Sequence, residues 1–285
     1  MGLDITALKF LHSIEMKPLG HVITLGRQNI KVHSSIIKKI LNVSSEYKYG
    51  DYCESLLLKH FGASKVDSLD FSNFEEATHI VDLNLPLPEK FHGIYDTVIN
   101  FGTLQYIFNV PEALKSCSAL CKKGGQILHV MPSNNFSDGG FYQFSAEFLF
   151  SLYSKTNGYT ETEVFLHDTT DNNHFYKVNY PQQEQTIDIH SFNPVNILCR
   201  TISNQNSLLN LNVQQYNYLH LWNQFTNNEK CTAPLERRLS ILEYLKQNNT
   251  LHKIINFMNN FLKLIGLKNK NRLGKNNKNF KVIKF

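Results

Sequence analysis

Short apolar runs bounded by turn-forming residues recur along the first two thirds of the chain. In chain order they are HVITLG, KVDSLDF, HIVDLNL, YDTVINFG, QILHVMP, TEVFL and VNILCRTI. Runs such as VITL and TVINF are apolar at successive positions, which is typical of strands buried on both faces of a parallel sheet. Helical patterns lie between several of them. The pattern predicts an α/β fold, doubly wound, with a mostly parallel seven-stranded sheet and helices on both faces.

The helical segments carry start and stop signals. Asp51, Asn109 and Ser145 precede apolar helical segments and are candidate N-caps. Gly62 and Gly158 follow the last apolar residues of two such segments and predict helix ends.

Beyond about residue 205 the strand signals fade. Apolar residues then recur at helical spacing in PLERRLSILEYLKQ and LHKIINFMNNFLKLIG. The following stretch, KNKNRLGKNNKNFK, has too few apolar residues to fold alone. We therefore expect one domain over residues 1–205 and a helical extension with a basic, partly mobile tail over residues 206–285.

Composition is consistent with a cytoplasmic globular protein. The 285 residues are 42% hydrophobic, enough for a sizeable core. No segment approaches the ~18 consecutive apolar residues that a membrane helix requires. The N-terminal stretch MGLDITALKFLHSIEMKPLG has acidic residues within its apolar region, unlike a secretory signal.

Cysteine spacing favours buried free thiols over a metal centre. Of the five cysteines, Cys117 and Cys121 form the one close pair, and no pair of histidines lies near them. We predict no metal site.

Charge is distributed unevenly along the chain. Residues 251–285 contain nine Lys and Arg and no acid, although the whole chain has a net charge of only +5. The rest of the chain is therefore acidic. A basic tail is compatible with a solvated end and with binding to nucleic acid or to an anionic membrane surface.

The ends of the predicted strands are the candidate ligand site, because open parallel sheets bind ligands outside their carboxyl ends. These ends carry Gly26, Asp70, Asp82 to Asn84, Gly102 and Pro132 to Asn134. Gly26 either lets the backbone approach a ligand or simply ends a strand. Asp70 is suited either to accepting hydrogen bonds from two ribose hydroxyls or to capping the turn DFSNF.

A polar and aromatic segment, SNNFSDGGFYQFS, follows the fifth strand. Asn134, Asn135, Tyr142 and Gln143 are its candidate substrate-binding residues, because they offer hydrogen-bond donors and acceptors to a sugar or phosphate. Alternatively the segment is a surface loop that Phe141 and Phe144 anchor to the core.

No motif for a general base stands out. Tyr142 and two histidines in loop-like stretches, His33 and His167, are the catalytic candidates. His129 lies within an alternating strand and is predicted to be packed in the core.

The segments HVITLG, VDSLDFS, IVDLNLPLP, YDTVINFGTLQYIFNVPEAL and KKGGQILHVMPSNN, in this order, resemble the class I S-adenosylmethionine-dependent methyltransferases. The resemblance covers roughly residues 20 to 200, and PSNNFSDGGFYQFSAEFLF is similar to methyltransferases of bacterial capsule and O-antigen loci. It implies a Rossmann-like fold and S-adenosylmethionine as the cofactor.

The resemblance also implies roles for individual residues. Gly26, followed by Arg27, would lie near the methionine part of the cofactor. Asp70 would hold the ribose, and Asp82 with Leu83 would border the adenine. The floor near the sulfonium would be formed by Asn100, Gly102 and Leu104.

The function that follows is O-methylation of a surface-polysaccharide precursor, on a sugar hydroxyl or on a phosphoramidate or phosphate-type oxygen. Two departures from the family, the single Gly26 and the pair Gln105-Tyr106 in place of Glu-His, leave open an inactive binding or assembly module. A nucleic-acid methyltransferase is disfavoured, because no Asn/Asp-Pro-Pro-Tyr tetrad follows the fourth strand.

Overall fold

The computed structural model describes residues 2–13, 17–43, 47–171, 173–179, 193–204, 213–215 and 280–284. Its strands are β1 (Gly2–Leu3), β2 (Gly20–Leu25), β3 (Asn29–Ile30), β4 (Ala63–Asp70), β5 (His79–Ile80), β6 (Tyr95–Phe101), β7 (Cys121–Asn134), β8 (Tyr159–Asp168), β9 (His174–Val178), β10 (Val195–Ser203) and β11 (Phe280–Lys284). Its α-helices are α1 (Ile5–Ser13), α2 (Ser34–Leu41), α3 (Glu54–His60), α4 (Val110–Leu120) and α5 (Ala146–Leu152). Short 3-10 turns cover Glu89–Phe91, Leu104–Tyr106 and Lys155–Asn157.

Nine of the described strands form one mixed sheet in the order β11-β9-β8-β10-β7-β6-β2-β4-β5. The five strands from β5 to β7 are parallel. Strand β10 is antiparallel to both of its neighbours, β7 and β8. All seven predicted strands are present. The prediction of a mostly parallel, seven-stranded sheet is wrong on both counts. Strands β9 and β11 extend one edge, and four of the eight described strand pairings in this sheet are antiparallel.

The strand order reverses at β2. From β2 the chain passes outward to β4 and β5, then returns to β6 on the other side of β2. Such a reversal leaves a crevice at the carboxyl ends of the two strands that flank it, because their connections leave in opposite directions.

Helices cover both faces of the sheet, as predicted. Successive residues of a strand point to opposite faces, so Val98 of β6 packs in one core and Ile99 in the other. The first core contains buried side chains of α4 and α5, and the second contains side chains of α1, α2 and α3.

Of the three predicted N-caps, Ser145 alone caps its helix through its side chain. Ser145 caps α5 by accepting a hydrogen bond from the Phe148 amide at 3.2 Å. Asp51 does not cap α3, because the helix begins at Glu54 and the Asp51 carboxylate accepts from the Lys48 amide. Asn109 precedes α4, but its side chain donates to the Asn84 carbonyl instead. Gly62 follows α3 with the left-handed backbone expected after a helix end. The prediction that Gly158 ends α5 is wrong, because α5 ends at Leu152 and Gly158 follows the separate 3-10 turn Lys155–Asn157.

The predicted C-terminal extension lies mostly outside the described residues. Residues 280–284 form β11, whose pairing with β9 is antiparallel. No helix among the residues described is both long and apolar enough to cross a membrane.

Candidate functional site

A cavity of about 350 Å³ lies at the carboxyl ends of β2, β4 and β5 and beside the turn after β6. Four of the residues to which the family resemblance assigned a cofactor role line it: Gly26, Asp70, Asp82 and Leu83. The other lining residues are Leu69, Phe71, Val81, Asn84, Thr103, Tyr106 and Ile107. Most of these follow the predicted strand ends within a few positions, so their neighbourhood was predictable but their orientation was not.

Gly26 closes the end of β2. Its backbone φ is +71°, in the left-handed region that favours glycine. The Gly26 amide donates to the Leu69 carbonyl at 2.7 Å, and the Thr103 hydroxyl donates to the Leu25 carbonyl. The chain therefore leaves the sheet at this point with its backbone exposed to the cavity and held from both sides.

Asp70 retains most of its hydrogen-bonding capacity. Its carboxylate accepts from the Ser72 amide at 3.4 Å, a long contact that a strong cap would not show. Asp82 is more engaged, since one carboxylate oxygen accepts from both the amide and the side chain of Asn84 at 2.8 Å. Of the two explanations open for Asp70, the geometry favours a carboxylate available to a ligand.

Asn100, Gly102 and Leu104 do not line the cavity. The Asn100 side chain is buried and accepts from the Thr103 and Leu104 amides at 3.0 and 3.1 Å. Leu104 is fully buried in the core, and Gly102 has a φ of +86° that permits the sharp turn. These residues hold the 3-10 turn whose Tyr106 faces the cavity.

His129 supports this turn from within the core, through its hydrogen bond with Asn100. Asn100 donates through Nδ2 to His129 Nδ1 at 3.0 Å, so the proton of the neutral ring is on Nε2, which donates to the Tyr153 hydroxyl at 2.6 Å. Complete burial lowers the pKa of His129 to about 3. The prediction of a packed histidine is confirmed.

Arg27 points away from the cavity. Its Nε donates to a Glu54 carboxylate oxygen at 2.8 Å, and Nη1 donates to the Glu75 carbonyl at 3.0 Å. The guanidinium lies 3.7 Å from the centre of the Tyr52 ring. The side chain therefore ties α3 to the turn after β4, a role that sequence spacing did not reveal.

The described lining residues give the cavity a negative charge. Asp70 and Asp82 are the ionisable acids among them, and they include no Lys, Arg or His. A small cation or a neutral polar group is favoured in such a site, whereas a phosphate is repelled.

Neither candidate histidine lines the cavity. His33 is exposed and caps α2 by accepting from the Ser35 amide. The prediction that His167 lies in a loop is wrong, because β8 continues to Asp168 and buries it. His167 contacts the Thr6 hydroxyl at 3.0 Å and the Asp171 carbonyl at 2.9 Å, and burial lowers its pKa.

Residues 135–144, here called the acceptor segment, pack against the turn after β6. The Phe141 amide donates to the Gln105 carbonyl, and the Tyr142 hydroxyl donates to the Phe108 carbonyl, both at 2.7 Å. The segment therefore lies beside the residues that form one wall of the cavity.

The predicted substrate-binding side chains mostly hold this segment in place. Asn134 pairs with Val195 at the end of β7, and Asn135 donates to the Asn193 carbonyl at 3.0 Å. Gln143 accepts from the Phe136 amide at 3.1 Å. Phe144 is buried and anchors the segment, whereas Phe141 is exposed.

The described thiols have no ligand-binding geometry. Cys53, Cys117, Cys121 and Cys199 are free and buried, and burial raises their pKa. Within the described ranges, no three side chains of His, Cys, Asp or Glu are grouped so that they could hold a metal ion.

No protein-family model matches the chain, and no curated protein sequence matches it significantly. Among solved structures, it is similar to a Bacillus halodurans C-125 protein assigned as a methyltransferase, with 11% identity, a TM-score of 0.40 and coverage of 72% of this chain and 100% of that chain. It is similar to phosphoethanolamine N-methyltransferase 2 of Haemonchus contortus in complex with S-adenosyl-L-methionine, with 14% identity, a TM-score of 0.37 and coverage of 70% and 52%. It is also similar to a Rhodobacter sphaeroides protein assigned to the Zn-dependent alcohol dehydrogenases, with 16% identity, a TM-score of 0.29 and coverage of 45% and 46%.

The strand order and the crevice define a mixed α/β, Rossmann-like fold with a central sheet. The solved structures it resembles include S-adenosylmethionine-dependent methyltransferases.

Proposed function

We propose that the cavity binds S-adenosylmethionine and that the protein is a methyltransferase. The observation that carries this proposal is the charge of the cavity. Two carboxylates, Asp70 and Asp82, line it at the carboxyl ends of adjacent parallel strands, and the described lining residues include no cation. S-adenosylmethionine is a nucleoside with a positively charged sulfonium and no phosphate, so its chemistry matches this charge.

A phosphate-bearing dinucleotide fits the same cavity poorly. Dinucleotide sites bind pyrophosphate with a glycine-rich G-x-G-x-x-G turn at a helix N-terminus. Here Gly26 is followed by Arg27 and Gln28, and the next helix, α2, starts at Ser34 with His33 as its cap. Arg27, the cation next to Gly26 in the sequence, is held by Glu54.

The described residues suit the parts of the proposed cofactor. An ionised Asp70 can accept hydrogen bonds from both ribose hydroxyls. Val81, Leu83 and Ile107 provide apolar surface for adenine, and Asp82 lies at its edge. Gly26 leaves the backbone at the end of β2 open to the remaining part of the molecule.

When bound, S-adenosylmethionine supplies an electrophilic methyl group, whose C–S bond breaks as a bond to the acceptor forms, leaving the electron pair on sulfur. The protein contributes position and exclusion of water. A hydroxyl acceptor also loses a proton to a base or to solvent. Among the catalytic candidates, Tyr142 contacts the chain next to the cavity wall, but its hydroxyl already donates to the Phe108 carbonyl.

We infer that residues 1–205 are the catalytic domain of a cytoplasmic enzyme and that its acceptor is a sugar hydroxyl of a surface-polysaccharide precursor. The negative cavity supports a hydroxyl over a phosphate-type oxygen. The same charge disfavours a nucleic-acid acceptor. Binding of the basic tail to a membrane surface, for example, would involve residues outside those that the structure describes.

Isothermal titration calorimetry tests the proposal. S-adenosylhomocysteine should bind the full-length protein, and NAD⁺ should bind at least about 100-fold more weakly. Equal binding of the two would refute the charge argument. No binding of either would favour the alternative of an inactive assembly module, whose single Gly26 would then reflect loss of the cofactor site.

A further inference from the structure

Three exposed aromatic side chains lie beside the cavity on the turn after β6 and on the acceptor segment. Tyr106, Phe108 and Phe141, here called the aromatic rim, have exposed fractions of 52%, 76% and 68%. The Phe108 and Phe141 rings meet edge to face, with their centres 6.3 Å apart. A cluster of apolar rings exposed to water is energetically unfavourable, so such a cluster beside a cavity marks a binding surface.

Hydrogen bonds connect the rim to the cavity wall. Tyr106 itself lines the cavity. The Phe141 amide donates a hydrogen bond to the Gln105 carbonyl, and the Phe108 carbonyl accepts one from the Tyr142 hydroxyl. The exposed Phe141 ring is therefore carried by a hydrogen-bonded backbone and not by a loose loop.

Phe141 does not anchor the acceptor segment. Phe144 performs that role, since it is buried and packs 5.9 Å from Phe148, centre to centre. The exposed ring of Phe141 thus has no structural role among the described residues beyond its ring contacts with Phe108 and Tyr142.

Gln105 provides a second, independent observation. Its side chain is nine-tenths buried between Gly102 and Gly140, yet its carbonyl oxygen Oε1 has no hydrogen-bond partner among the described residues. A buried oxygen without a donor is unfavourable. Oε1 is closed off from solvent, so a hydroxyl group reaches it only when the acceptor segment shifts away from the turn, and it would then supply the missing donor.

We propose that the aromatic rim binds the methyl acceptor, and that this acceptor is an uncharged ring compound that carries hydroxyl groups. An apolar ring face would pack on Phe108 and Phe141, while a hydroxyl would donate to Gln105. The negative cavity next to the rim disfavours phosphorylated acceptors. This inference rests on the proposed function, because it assigns the acceptor of the same reaction.

Saturation-transfer NMR on the full-length protein, saturated with S-adenosylhomocysteine, tests the inference. The probes are methyl β-D-glucopyranoside for a sugar face, benzyl alcohol for an aromatic face, and glucose 6-phosphate as the anionic probe. At least one neutral probe should bind more tightly than glucose 6-phosphate. Phe141→Ala should weaken that binding by about threefold to tenfold.

Tyr49→Ala is the matched control, because Tyr49 is exposed to 67% and does not line the cavity. It should leave probe binding unchanged. Gln105→Leu should weaken the hydroxyl-bearing probes while S-adenosylhomocysteine still binds. Tighter binding of glucose 6-phosphate, or no binding of any neutral probe, would overturn the inference.

Self-association is the competing use of the rim. Sedimentation of the same variants would show a dimer that dissociates in Phe141→Ala, and that result would also overturn the inference. Calorimetry with S-adenosylhomocysteine is measured separately, so a failure of the proposed function is distinguished from a failure at the rim.

Discussion

Gly140→Ala is expected to detach the acceptor segment from the cavity wall. Gly140 has a φ of +121°, a conformation that costs a side-chain-bearing residue about 1–3 kcal/mol. An added Cβ would lie 2.7 Å from both the backbone oxygen and Cγ of Gln105, so the segment has to move. That movement breaks the bond from the Phe141 amide to the Gln105 carbonyl, worth about 1 kcal/mol.

Together these effects destabilise the docked segment by about 2–4 kcal/mol. Hydrogen exchange measures this directly, because the Phe141 amide is the donor of the lost bond. Its exchange should accelerate by about 30-fold to 900-fold. Binding of S-adenosylhomocysteine should weaken by about threefold to tenfold, since Tyr106 and Ile107 lie on the turn that loses its support.

Gly50→Ala is the control for backbone strain without a clash. Gly50 has a φ of +95°, and nothing lies within 4 Å of the added Cβ. It should lower the free energy of unfolding and leave both the Phe141 exchange rate and cofactor binding unchanged. If the two variants change Phe141 exchange equally, the contact between Gly140 and Gln105 does not fix the segment.

Two further predictions concern residues beneath and beside the cavity. Burial lowers the pKa of His129 to about 3, so the unfolded chain binds a proton below about pH 6.5 that the folded protein does not, and stability falls with pH from 6.5 toward 3. Protonation of His129 in the unfolded chain should therefore lower the free energy of unfolding by about 2 kcal/mol between pH 7 and pH 5. Urea titrations of His129→Gln should show a free energy of unfolding that depends less on pH than in the wild type. Equal pH dependence in the two proteins would contradict the buried neutral ring. Arg27→Lys should lower the free energy of unfolding by about 1–2 kcal/mol, because contacts with Glu54 and Tyr52 are lost. The cofactor affinity should change by less than about threefold. Weaker cofactor binding at unchanged stability would show that Arg27 contacts the cofactor.

The strands of the central sheet could be predicted because each is a short apolar run between turn residues. Strand β9 could not, since HFYKV is short and follows β8 after a tight connection. Strand β11 follows an Asn- and Lys-rich stretch, and its pairing with β9 is a contact across about 100 residues that no local pattern encodes.

The location of the candidate cavity followed from the rule that ligands bind at the carboxyl ends of parallel strands. That rule placed Gly26, Asp70, Asp82 and Leu83 together, and they line one cavity. Spacing alone did not give side-chain direction. Asn100 lies at the end of β6, but its side chain turns inward to hold the Thr103 and Leu104 amides.

Long-range partners explain the other differences. Arg27 follows the expected glycine, yet Glu54, at the start of α3, pairs with its side chain. His167 lies in a strand because Thr6 of α1 and Asp171 supply the partners that allow its burial. The exposure of Phe141 depends on its hydrogen bond to Gln105, and no local pattern predicts that these two residues meet.

Calorimetric titration of S-adenosylhomocysteine into the wild type, Asp70→Ala and Glu89→Ala tests the central claim most directly. Glu89 is an exposed acid that does not line the cavity, so its variant controls for the loss of one negative charge. The wild type and Glu89→Ala should bind alike. Asp70→Ala should bind about 100-fold more weakly, because about 3 kcal/mol of charge-assisted hydrogen bonding to the ribose is lost. Equal affinity in all three, or no binding by the wild type, would contradict the assignment of this cavity to the cofactor.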